Sequence, residues 1–380
     1  MSGKGLNIVV IGLSLSSSWG NGHATTYRGM LRGLHALGCR VHFLERDVPW
    51  YGGAARDLPE PDFCRLSFYD AVEEIAARFG GRIRAADAVI VGSYVPDGVA
   101  VIDAVAALQP KGFAFYDIDT PVTLAKLARG DEEYLARRQV GLFDVYFSFT
   151  GGPTLKRLES EFGANRAQAL YCSVDAERYR PTGEPKVWDL GYLGTYSPDR
   201  QPTLEKLLIE PARRLPHLRF AVAGPQYPES IDWPANVERI DHLPPDEHPS
   251  FYSRQRFTLN VTRADMIRAG WSPSVRLFEA ASCRTAIISD RWPGLGDLLP
   301  EGEAVLVADT TDQVVRWLEG LSDAERDGIA TAAQKRVLAA HTGLARAREL
   351  MAGLSAPSEA DLGFAPRPAR RVAAMEKERA

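Results

Sequence analysis

The sequence predicts an α/β protein made of two doubly wound, Rossmann-like domains, and three observations lead to that prediction. Short apolar segments alternate with amphipathic ones through the first half of the chain, and the same alternation starts again in the second half. A chain of 380 residues exceeds the usual size of a single hydrophobic core. A polar segment at 172–186, which contains two prolines and a glycine, separates the two halves.

Each half contains several segments with the apolar character of buried parallel strands. In the first half they lie at 7–13, 40–45, 87–92, 112–117 and 144–149. In the second half they lie at 188–194, 218–223, 257–261, 285–289 and 304–307. The amphipathic segment 24–37, which ends before Gly38, is the expected first helix, and late helices are expected at about 322–340 and 343–353.

We expect an N-terminal domain at 1–172, a C-terminal domain at 173–345, and a helix end with a flexible tail at 346–380. Ligands of open α/β sheets bind beyond the carboxyl ends of the strands. Two such domains that face one another would place their ligand loops in one shared cleft. That arrangement suits transfer of a group between two substrates.

The composition is that of an ordinary globular protein, with 45% hydrophobic and 25% charged residues. A formal net charge of −4 argues against nucleic acid as a partner. The four cysteines lie far apart, which favours reduced thiols in a cytoplasmic protein over a zinc or redox site. The apolar run at 6–15 is interpreted as a buried strand, and no stretch reaches the roughly 20 apolar residues of a membrane span. The sequence does not indicate the oligomeric state.

A helix start in the second half has the composition of a phosphate site. Ser272 is a good N-cap and Pro273 suits the first helical position. The backbone N–H groups there attract an anion, and Arg276 can add a charged hydrogen bond. Glu279, one turn later, can accept hydrogen bonds from sugar hydroxyls. These features predict a nucleotide-sugar pocket with the donor-binding residues Ser272, Ser274, Val275, Arg276 and Glu279.

A second candidate for phosphate binding is the loop at 194–200, which follows the first strand of the second half. Gly194 and Thr195 offer backbone N–H groups and Arg200 offers a guanidinium, a combination that can hold a diphosphate. An ordinary solvated loop is the alternative. His242, which is followed by Leu243 and two prolines, is expected to line the pocket of the nucleobase.

In the first half, the loop after the first strand ends at a helix start with Gly20, Asn21, Gly22 and His23. The glycines permit close approach of a ligand to the backbone, and His23 can bind a sugar hydroxyl or move a proton. A local hydrogen bond at the helix start is the alternative role for His23. We predict that His23 is catalytic and that residues 20–22 lie on the sugar or acceptor side.

Asp117 and Asp119 end another strand with the spacing of a metal-binding Asp-x-Asp pair. A contact with a substrate hydroxyl, a role as base, and a helix cap are the alternatives. We expect no metal, and we predict Asp119 as a second catalytic candidate and Asp117 as an acceptor-side residue. Gly151 and Gly152 end the next strand, where they either let substrate approach the backbone or simply turn the chain.

The second half resembles the C-terminal domain of GT-B glycosyltransferases. Over roughly residues 7–350 the chain is similar to the CgeB-like group of predicted glycosyltransferases. The segments that carry this likeness are 20–23, 45–51, 116–121, 172–175 and 272–280. In the pattern of glycosyltransferase family 4, two glutamates lie eight positions apart. Glu279-Ala280 matches the second, which the resemblance implies holds the ribose, whereas Trp271 stands at the position of the first.

The resemblance implies a GT-B glycosyltransferase that moves a sugar from a nucleoside diphosphate donor on the C-terminal domain. The acceptor would lie on the N-terminal domain, and its nature as a glycan, a small molecule or a protein is not indicated. Such enzymes usually work without a metal, and no cofactor besides the donor substrate is expected. A nucleotide-sugar epimerase or hydrolase of the same fold, and a non-catalytic sugar-nucleotide-binding relative, are the alternatives.

Overall fold

The structure is a computed structural model that describes residues 5–18 and 22–355. The chain divides into two compact units. The first comprises the described residues of Met1–Tyr171 and of Gly343–Ala380, and the second is Cys172–Thr342. Each unit contains one parallel sheet, as the repeated alternation of apolar and amphipathic segments predicts.

The first unit contains a seven-stranded sheet in the order β3-β2-β1-β4-β5-β6-β7. Its strands are β1 (Asn7–Gly12), β2 (Arg40–Arg46), β3 (Arg65–Tyr69), β4 (Ala88–Gly92), β5 (Phe113–Asp117), β6 (Val145–Ser148) and β7 (Ala167–Ala169). Its helices are α1 (His23–Ala36), α2 (Glu73–Ala85), α3 (Gly98–Ala107), α4 (Thr120–Ala128) and α5 (Pro153–Ser160), with 3₁₀ segments at Pro49–Tyr51, Gly53–Ala55 and Arg137–Leu142.

The second unit contains a six-stranded sheet in the order β10-β9-β8-β11-β12-β13. Its strands are β8 (Trp188–Leu193), β9 (Phe220–Ala223), β10 (Val237–Ile240), β11 (Gln255–Asn260), β12 (Ala286–Ser289) and β13 (Leu306–Val307). Its helices are α6 (Gln201–Leu204), α7 (Glu210–Arg214), α8 (His248–Ser253), α9 (Ala264–Ala269), α10 (Val275–Ser282), α11 (Leu295–Leu298), α12 (Thr311–Gly320) and α13 (Asp323–Ala340). A π-helical turn at Glu205–Ile209 connects α6 to α7.

Alternation along each strand buries both faces of the sheet. On β1, Val9 and Ile11 belong to one hydrophobic cluster, whereas Ile8 and Val10 belong to another. All four side chains are at most 2% exposed. A strand whose two faces are both covered is a continuous apolar run, which explains why these strands are easy to recognise in the sequence.

Strand order reverses once in each sheet. In the first unit the chain moves outward from β1 in one direction and from β4 in the other, and these two strands are neighbours. In the second unit β8 and β11 have the same relation. The loops that follow such a pair diverge to opposite faces and leave a crevice at the carboxyl edge, where ligands of this fold class bind.

The last helix returns to the first unit. α14 (Gly343–Ser355) packs against α1, and a Cβ atom on Gly343 would lie 2.1 Å from the carbonyl oxygen of Gly29. The expected domain boundary at 345/346 therefore falls inside a helix that contacts the first unit, and most of the expected tail lies outside the described residues. Within residues 5–18 and 22–355, no helix is long and apolar enough to cross a membrane.

Candidate functional site

The crevice between β8 and β11 brings together three arginines from three separate segments. Arg200 ends the loop after β8, Arg263 follows β11, and Arg276 lies in the first turn of α10. Arg200 is 8% exposed, and its guanidinium donates to the carbonyl oxygen of Thr195 at 2.6 Å. Burial lowers the pKa of Arg200, and the charges of Arg276 and Arg263 lower that pKa further. Mutual repulsion of this kind is relieved when an anion binds.

Arg276 is held at the carboxyl end of β8. Its Nε donates to the carbonyl oxygen of Leu193, and its guanidinium carbon lies 5.1 Å from the centroid of the Tyr192 ring. Nη1 lies 3.4 Å from Oδ1 of Asn260, the last residue of β11. The side chain thus spans the two strands that flank the crevice, which fixes its charge at the position where the sheet order reverses.

Gly194 lies close to two side chains at the carboxyl end of β8. A Cβ atom there would lie 2.6 Å from Oη of Tyr192 and 2.9 Å from Nη2 of Arg276. The adjacent Thr195 is exposed, and the carbonyl oxygen of Gly194 accepts a hydrogen bond from Tyr227 Oη at 3.0 Å. The loop brings its backbone against Arg276, but the N–H of Gly194 donates to the carbonyl oxygen of Ala223 at 2.8 Å, so the prediction that this N–H binds a phosphate is wrong.

The helix start in this crevice lies two residues later than expected. Ser274, with ψ of 144°, is the N-cap, and Val275 is the first helical residue of α10. Ser272 and Pro273 precede the helix, so the predicted roles of Ser272 as cap and Pro273 as first residue are wrong. Local preference does not decide whether Ser272 or Ser274 is the N-cap, because serine is favourable at either position. Ser274 Oγ lies 3.4 Å from Asn260 Oδ1, which ties the helix start to the end of β11.

Trp271 stands at the position of the first glutamate of the family 4 pattern, and its side chain makes a structural contact. Its backbone has a positive φ of 41°, and its indole Nε1 donates to Asp297 Oδ2 at 2.7 Å. A Cβ atom on Gly294 would lie 2.5 Å from the indole ring. Trp271 therefore holds the segment before α10 against the loop after β12, and it offers no carboxylate to a ligand.

Glu279 lies on α10 in a cluster of aromatic and imidazole side chains. Glu279 is only 8% exposed, and its carboxylate accepts a hydrogen bond from Tyr252 Oη at 3.2 Å. Burial first, and then the charge of Glu279, raise the pKa of both Tyr252 and Tyr179. Tyr179 Oη lies 3.2 Å from Nδ1 of His248. A buried carboxylate with hydroxyl partners is suited to hold a further pair of hydroxyls.

The predicted base-pocket histidine, His242, is an exposed residue of the loop after β10. His248, at the start of α8, is the histidine whose pKa responds to Glu279: burial lowers this pKa, and the carboxylate raises it. Its Nε2 lies 3.3 Å from the carbonyl oxygen of Leu243. Sequence reasoning missed His248, Arg263 and Asn260, because each depends on which strands become neighbours.

In the first unit, His23 is the first residue of α1 and lies at the carboxyl edge beside β4. Its ring contacts that of Tyr94 edge to face, with centroids 5.3 Å apart and planes at 89°. Nδ1 is buried and has no hydrogen-bond partner among the described residues. Burial lowers the pKa of His23 to about 4. Gly22 is the exposed N-cap of α1, whereas Gly20 and Asn21 lie outside the described residues.

Glu45, at the end of β2, holds the loop that leads to α1. The residue is fully buried, and its carboxylate accepts hydrogen bonds from the backbone N–H groups of Leu15 at 2.6 Å and Ser16 at 2.9 Å. The hydroxyl of Ser16 donates to the same carboxylate at 2.6 Å. Sequence reasoning did not assign this role. An acidic residue that ends an otherwise apolar strand is the signal that indicates it.

Asp117 and Asp119 have different surroundings. Asp117 is fully buried and accepts hydrogen bonds from Tyr146 Oη at 2.6 Å and Thr123 Oγ1 at 2.7 Å. Burial raises its pKa to about 6. Asp117 therefore has an internal structural role, and the prediction that it contacts a sugar or acceptor has no support in this geometry. Asp119 is partly exposed, occupies the N-cap position of α4 without a side-chain cap hydrogen bond, and accepts a hydrogen bond from Tyr94 Oη at 3.3 Å.

The glycine pair after β6 has a conformational explanation within the first unit. A Cβ atom on Gly151 would lie 2.1 Å from Tyr171 Oη, and Gly152 has a positive φ of 58° as the N-cap of α5. Contact with substrate is not needed to explain either glycine. Within the described part of the chain, no group of three or more His, Cys, Asp or Glu residues has an arrangement that could hold a metal ion.

Comparison with known proteins connects these sites to a family. Residues 200–352 match the family model described as glycosyl transferase-like. This segment includes Arg200, Arg263, Arg276 and Glu279, and it extends into α14. No curated protein matches the chain by sequence.

Several solved structures match this chain over most of its length. Sucrose-phosphate synthase from Thermosynechococcus elongatus is 12% identical, with a TM-score of 0.61 over 91% of this chain and 97% of that chain. Anabaena HepE in complex with UDP and glucose is 11% identical, with a TM-score of 0.63 over 92% and 99%. The T4 phage protein BGT in complex with its UDP-glucose substrate is 10% identical, with a TM-score of 0.58 over 92% and 100%.

At these identities the structural likeness establishes the fold, which is the predicted pair of Rossmann-like domains. The family match supplies the activity class, whereas membership of the narrower CgeB-like group stays a prediction. Together, the family match and the two parallel-sheet units identify this chain as a glycosyltransferase of the GT-B fold.

Proposed function

We propose that the chain transfers a sugar from a nucleoside diphosphate donor whose diphosphate binds between β8 and β11. The convergence of Arg200, Arg263 and Arg276 at this crevice is the observation that carries the proposal. Two of the structural neighbours, HepE and BGT, are complexes with UDP-glucose, which supports the same class of donor for this chain. The base, the sugar and the acceptor stay open.

The arginines would act on the leaving group. The acceptor oxygen forms a bond to the anomeric carbon while the bond from that carbon to the diphosphate oxygen breaks, and the electron pair leaves with the diphosphate. Preorganised cations at this position stabilise the charge that develops there. Because guanidinium groups and the start of α10 supply positive charge, we propose that transfer needs no metal.

Glu279 would bind the ribose hydroxyls. Its carboxylate already accepts a hydrogen bond from Tyr252, and it lies on the same helix as Arg276, three positions later. A helix places residues three apart on one face, so one face of α10 can bind both the phosphate and the ribose of one nucleotide. This supports the order diphosphate to ribose along α10.

His23 would accept the proton of the acceptor hydroxyl, with Asp119 as the second candidate on the first unit. At neutral pH its imidazole is uncharged, because burial lowers its pKa to about 4. A neutral imidazole can accept a hydrogen bond or a proton. We place the reaction in the cytoplasm, which the four free cysteines, three of them buried, support.

Isothermal titration calorimetry with UDP, GDP, ADP and TDP in buffer that contains EDTA tests the donor site. Arg263→Gln is the preferred variant, because the side chain is exposed and its loss leaves the core intact. We expect at least one nucleotide to bind the wild type and to bind the variant about 10-fold more weakly. Arg268→Gln, on the exposed face of the neighbouring α9, is the matched control and should bind as the wild type does. Equal affinity in both variants would remove Arg263 from the site.

A further inference from the structure

Tyr94 lies directly beside the candidate base of the first unit. It is the second residue after β4, and β4 pairs with β1, whose loop leads to His23. The two rings meet at 89° with centroids 5.3 Å apart. Both residues therefore follow the two strands at which the sheet order reverses, the position where a ligand is expected.

The backbone of Tyr94 is in the left-handed region, with φ of 62°. That conformation is rare for a bulky side chain and costs free energy that glycine or asparagine would largely avoid. Residues in such conformations persist where the surrounding structure fixes them, and they cluster at ligand and active sites. The strained residue here is the one that contacts His23.

Two contacts besides that with His23 fix the Tyr94 side chain, and a hydrogen-bond chain continues from them to Asp117. Its hydroxyl donates to Asp119 Oδ2 at 3.3 Å, and its ring lies 4.5 Å from the ring of Tyr134. The hydroxyl of Tyr134 lies 2.7 Å from Thr123 Oγ1. Thr123 in turn donates to the buried carboxylate of Asp117 at 2.7 Å. Both aspartates of the Asp-x-Asp pair therefore belong to one network that ends at the His23 ring.

The His23 ring itself depends on packing for its orientation. Nδ1 is buried, and no described residue hydrogen-bonds to it. Without such a bond, rotation of the imidazole is restricted mainly by its neighbours, and an edge-to-face aromatic contact favours one orientation of the ring. The ring of Tyr94 supplies that contact.

We propose that Tyr94 is a positioning residue that holds the imidazole of His23 in a fixed orientation, and that Asp119 and Tyr134 in turn hold Tyr94. The ring of Tyr94 carries the effect, and its hydroxyl serves to anchor the ring. The consequence for sugar transfer rests on the proposed function of His23, whereas the positioning itself does not. The Asp-x-Asp pair thereby acts through a tyrosine and not through a metal.

Titration of His23 by NMR tests the positioning without any turnover. Protein labelled with ¹³C in its seven histidines is compared with Tyr94→Asn and Tyr94→Phe, and the His23 signal is assigned from its loss in His23→Ala. Asparagine tolerates a positive φ, so Tyr94→Asn removes the ring without a new backbone cost. Gln109→Asn, at another positive-φ position, is the matched control for that exchange.

In Tyr94→Asn, we expect the His23 signal to lose its ring-current shift and its titration to move from about 4 toward the ordinary value of 6.5. Tyr94→Phe and Gln109→Asn should keep both features. An unchanged His23 signal and titration in a folded Tyr94→Asn protein would overturn the proposal. Thermal unfolding of every variant establishes that each is folded.

Once a donor and an acceptor are identified, kinetics provide a second readout. Tyr94→Asn should lower kcat by about 10–100-fold with little change in KM for the donor, and Tyr94→Phe should restore most of kcat. An equal loss in both variants, or a loss confined to KM, contradicts the positioning role. If the NMR results are as expected but the wild-type protein transfers no sugar from any donor, the proposed function is contradicted and the positioning of His23 still stands.

Discussion

Removal of the Glu279 carboxylate should weaken nucleotide binding but leave pyrophosphate binding unchanged. Glu279 is 8% exposed and shares its carboxylate with Tyr252, so the hydroxyls of a ribose would bind a charged acceptor away from bulk water. Loss of hydrogen bonds to a charged group costs about 1.5–3 kcal/mol. That free energy corresponds to roughly a 10–150-fold increase in Kd.

Isothermal titration calorimetry with UDP and with inorganic pyrophosphate separates the two parts of the nucleotide. Glu279→Ala should lose affinity for UDP only, because pyrophosphate has no ribose. Arg276→Gln should lose affinity for both ligands. Glu279→Gln, which keeps a carbonyl acceptor for Tyr252, shows whether the packing around the tyrosine is the cause. Should GDP, ADP or TDP prove to be the ligand that binds, it replaces UDP in the same design.

Equal affinity of wild type and folded Glu279→Ala for every nucleoside diphosphate would refute the ribose assignment. Parallel losses for the nucleotide and for pyrophosphate would refute it as well, since the defect would then lie at the phosphates. Thermal unfolding without ligand is the control for both variants, because the cluster of Tyr252, Tyr179 and His248 surrounds the carboxylate.

Three further predictions concern the first unit and the metal. His23→Ala should lower kcat by roughly 10²–10⁴-fold while nucleotide affinity stays constant, and steady-state kinetics beside calorimetry check both; normal turnover would leave Asp119 as the next candidate. Transfer activity should be unchanged in EDTA, and activity that disappears and returns with Mg²⁺ or Mn²⁺ would contradict metal independence. Because burial lowers the pKa of His23 to about 4, the folded protein binds fewer protons than the unfolded chain between about pH 4 and 6.5, and this residue's contribution to stability falls as pH falls through that range. When the pH is lowered from 7 to 5, the free energy of unfolding of the wild type should therefore fall by about 2 kcal/mol more than that of His23→Gln in denaturant titrations. An equal pH dependence of the two proteins would contradict the burial of a neutral imidazole.

Periodicity predicts the buried strands because their residues are apolar on both faces. The strands at 7–13, 112–117 and 257–261 correspond to β1, β5 and β11 within a few residues. The strands that were not predicted are β3, β7 and β10. All three lie at sheet edges. β3 and β10 carry charged residues such as Arg65 and Glu238, and β7 has only three residues, so none of them has the apolar run that marks a central strand.

The residues of the candidate site also divide into those that local sequence predicts and those that depend on strand order. Gly194, Arg200, Arg276 and Glu279 are recognisable because a turn, a helix start and a charge lie within a few positions of each other. Arg263 and His248 approach the same region only through the order of the strands, and Tyr94 approaches His23 only because β4 pairs with β1. Local sequence contains no signal for such pairings. Asp117 shows the opposite error, since a motif that is typical of ligand binding is used here inside the core.

A crystal structure with UDP, grown without divalent metal, tests the central claim most directly. If calorimetry selects a different nucleoside diphosphate, that nucleotide replaces UDP. We predict that the two phosphates lie within hydrogen-bond distance of the Arg276 and Arg200 guanidinium groups and of the backbone N–H of Thr195, with the ribose hydroxyls on Glu279. A nucleotide bound to the first unit, or bound to the second unit away from the crevice between β8 and β11, would contradict the account.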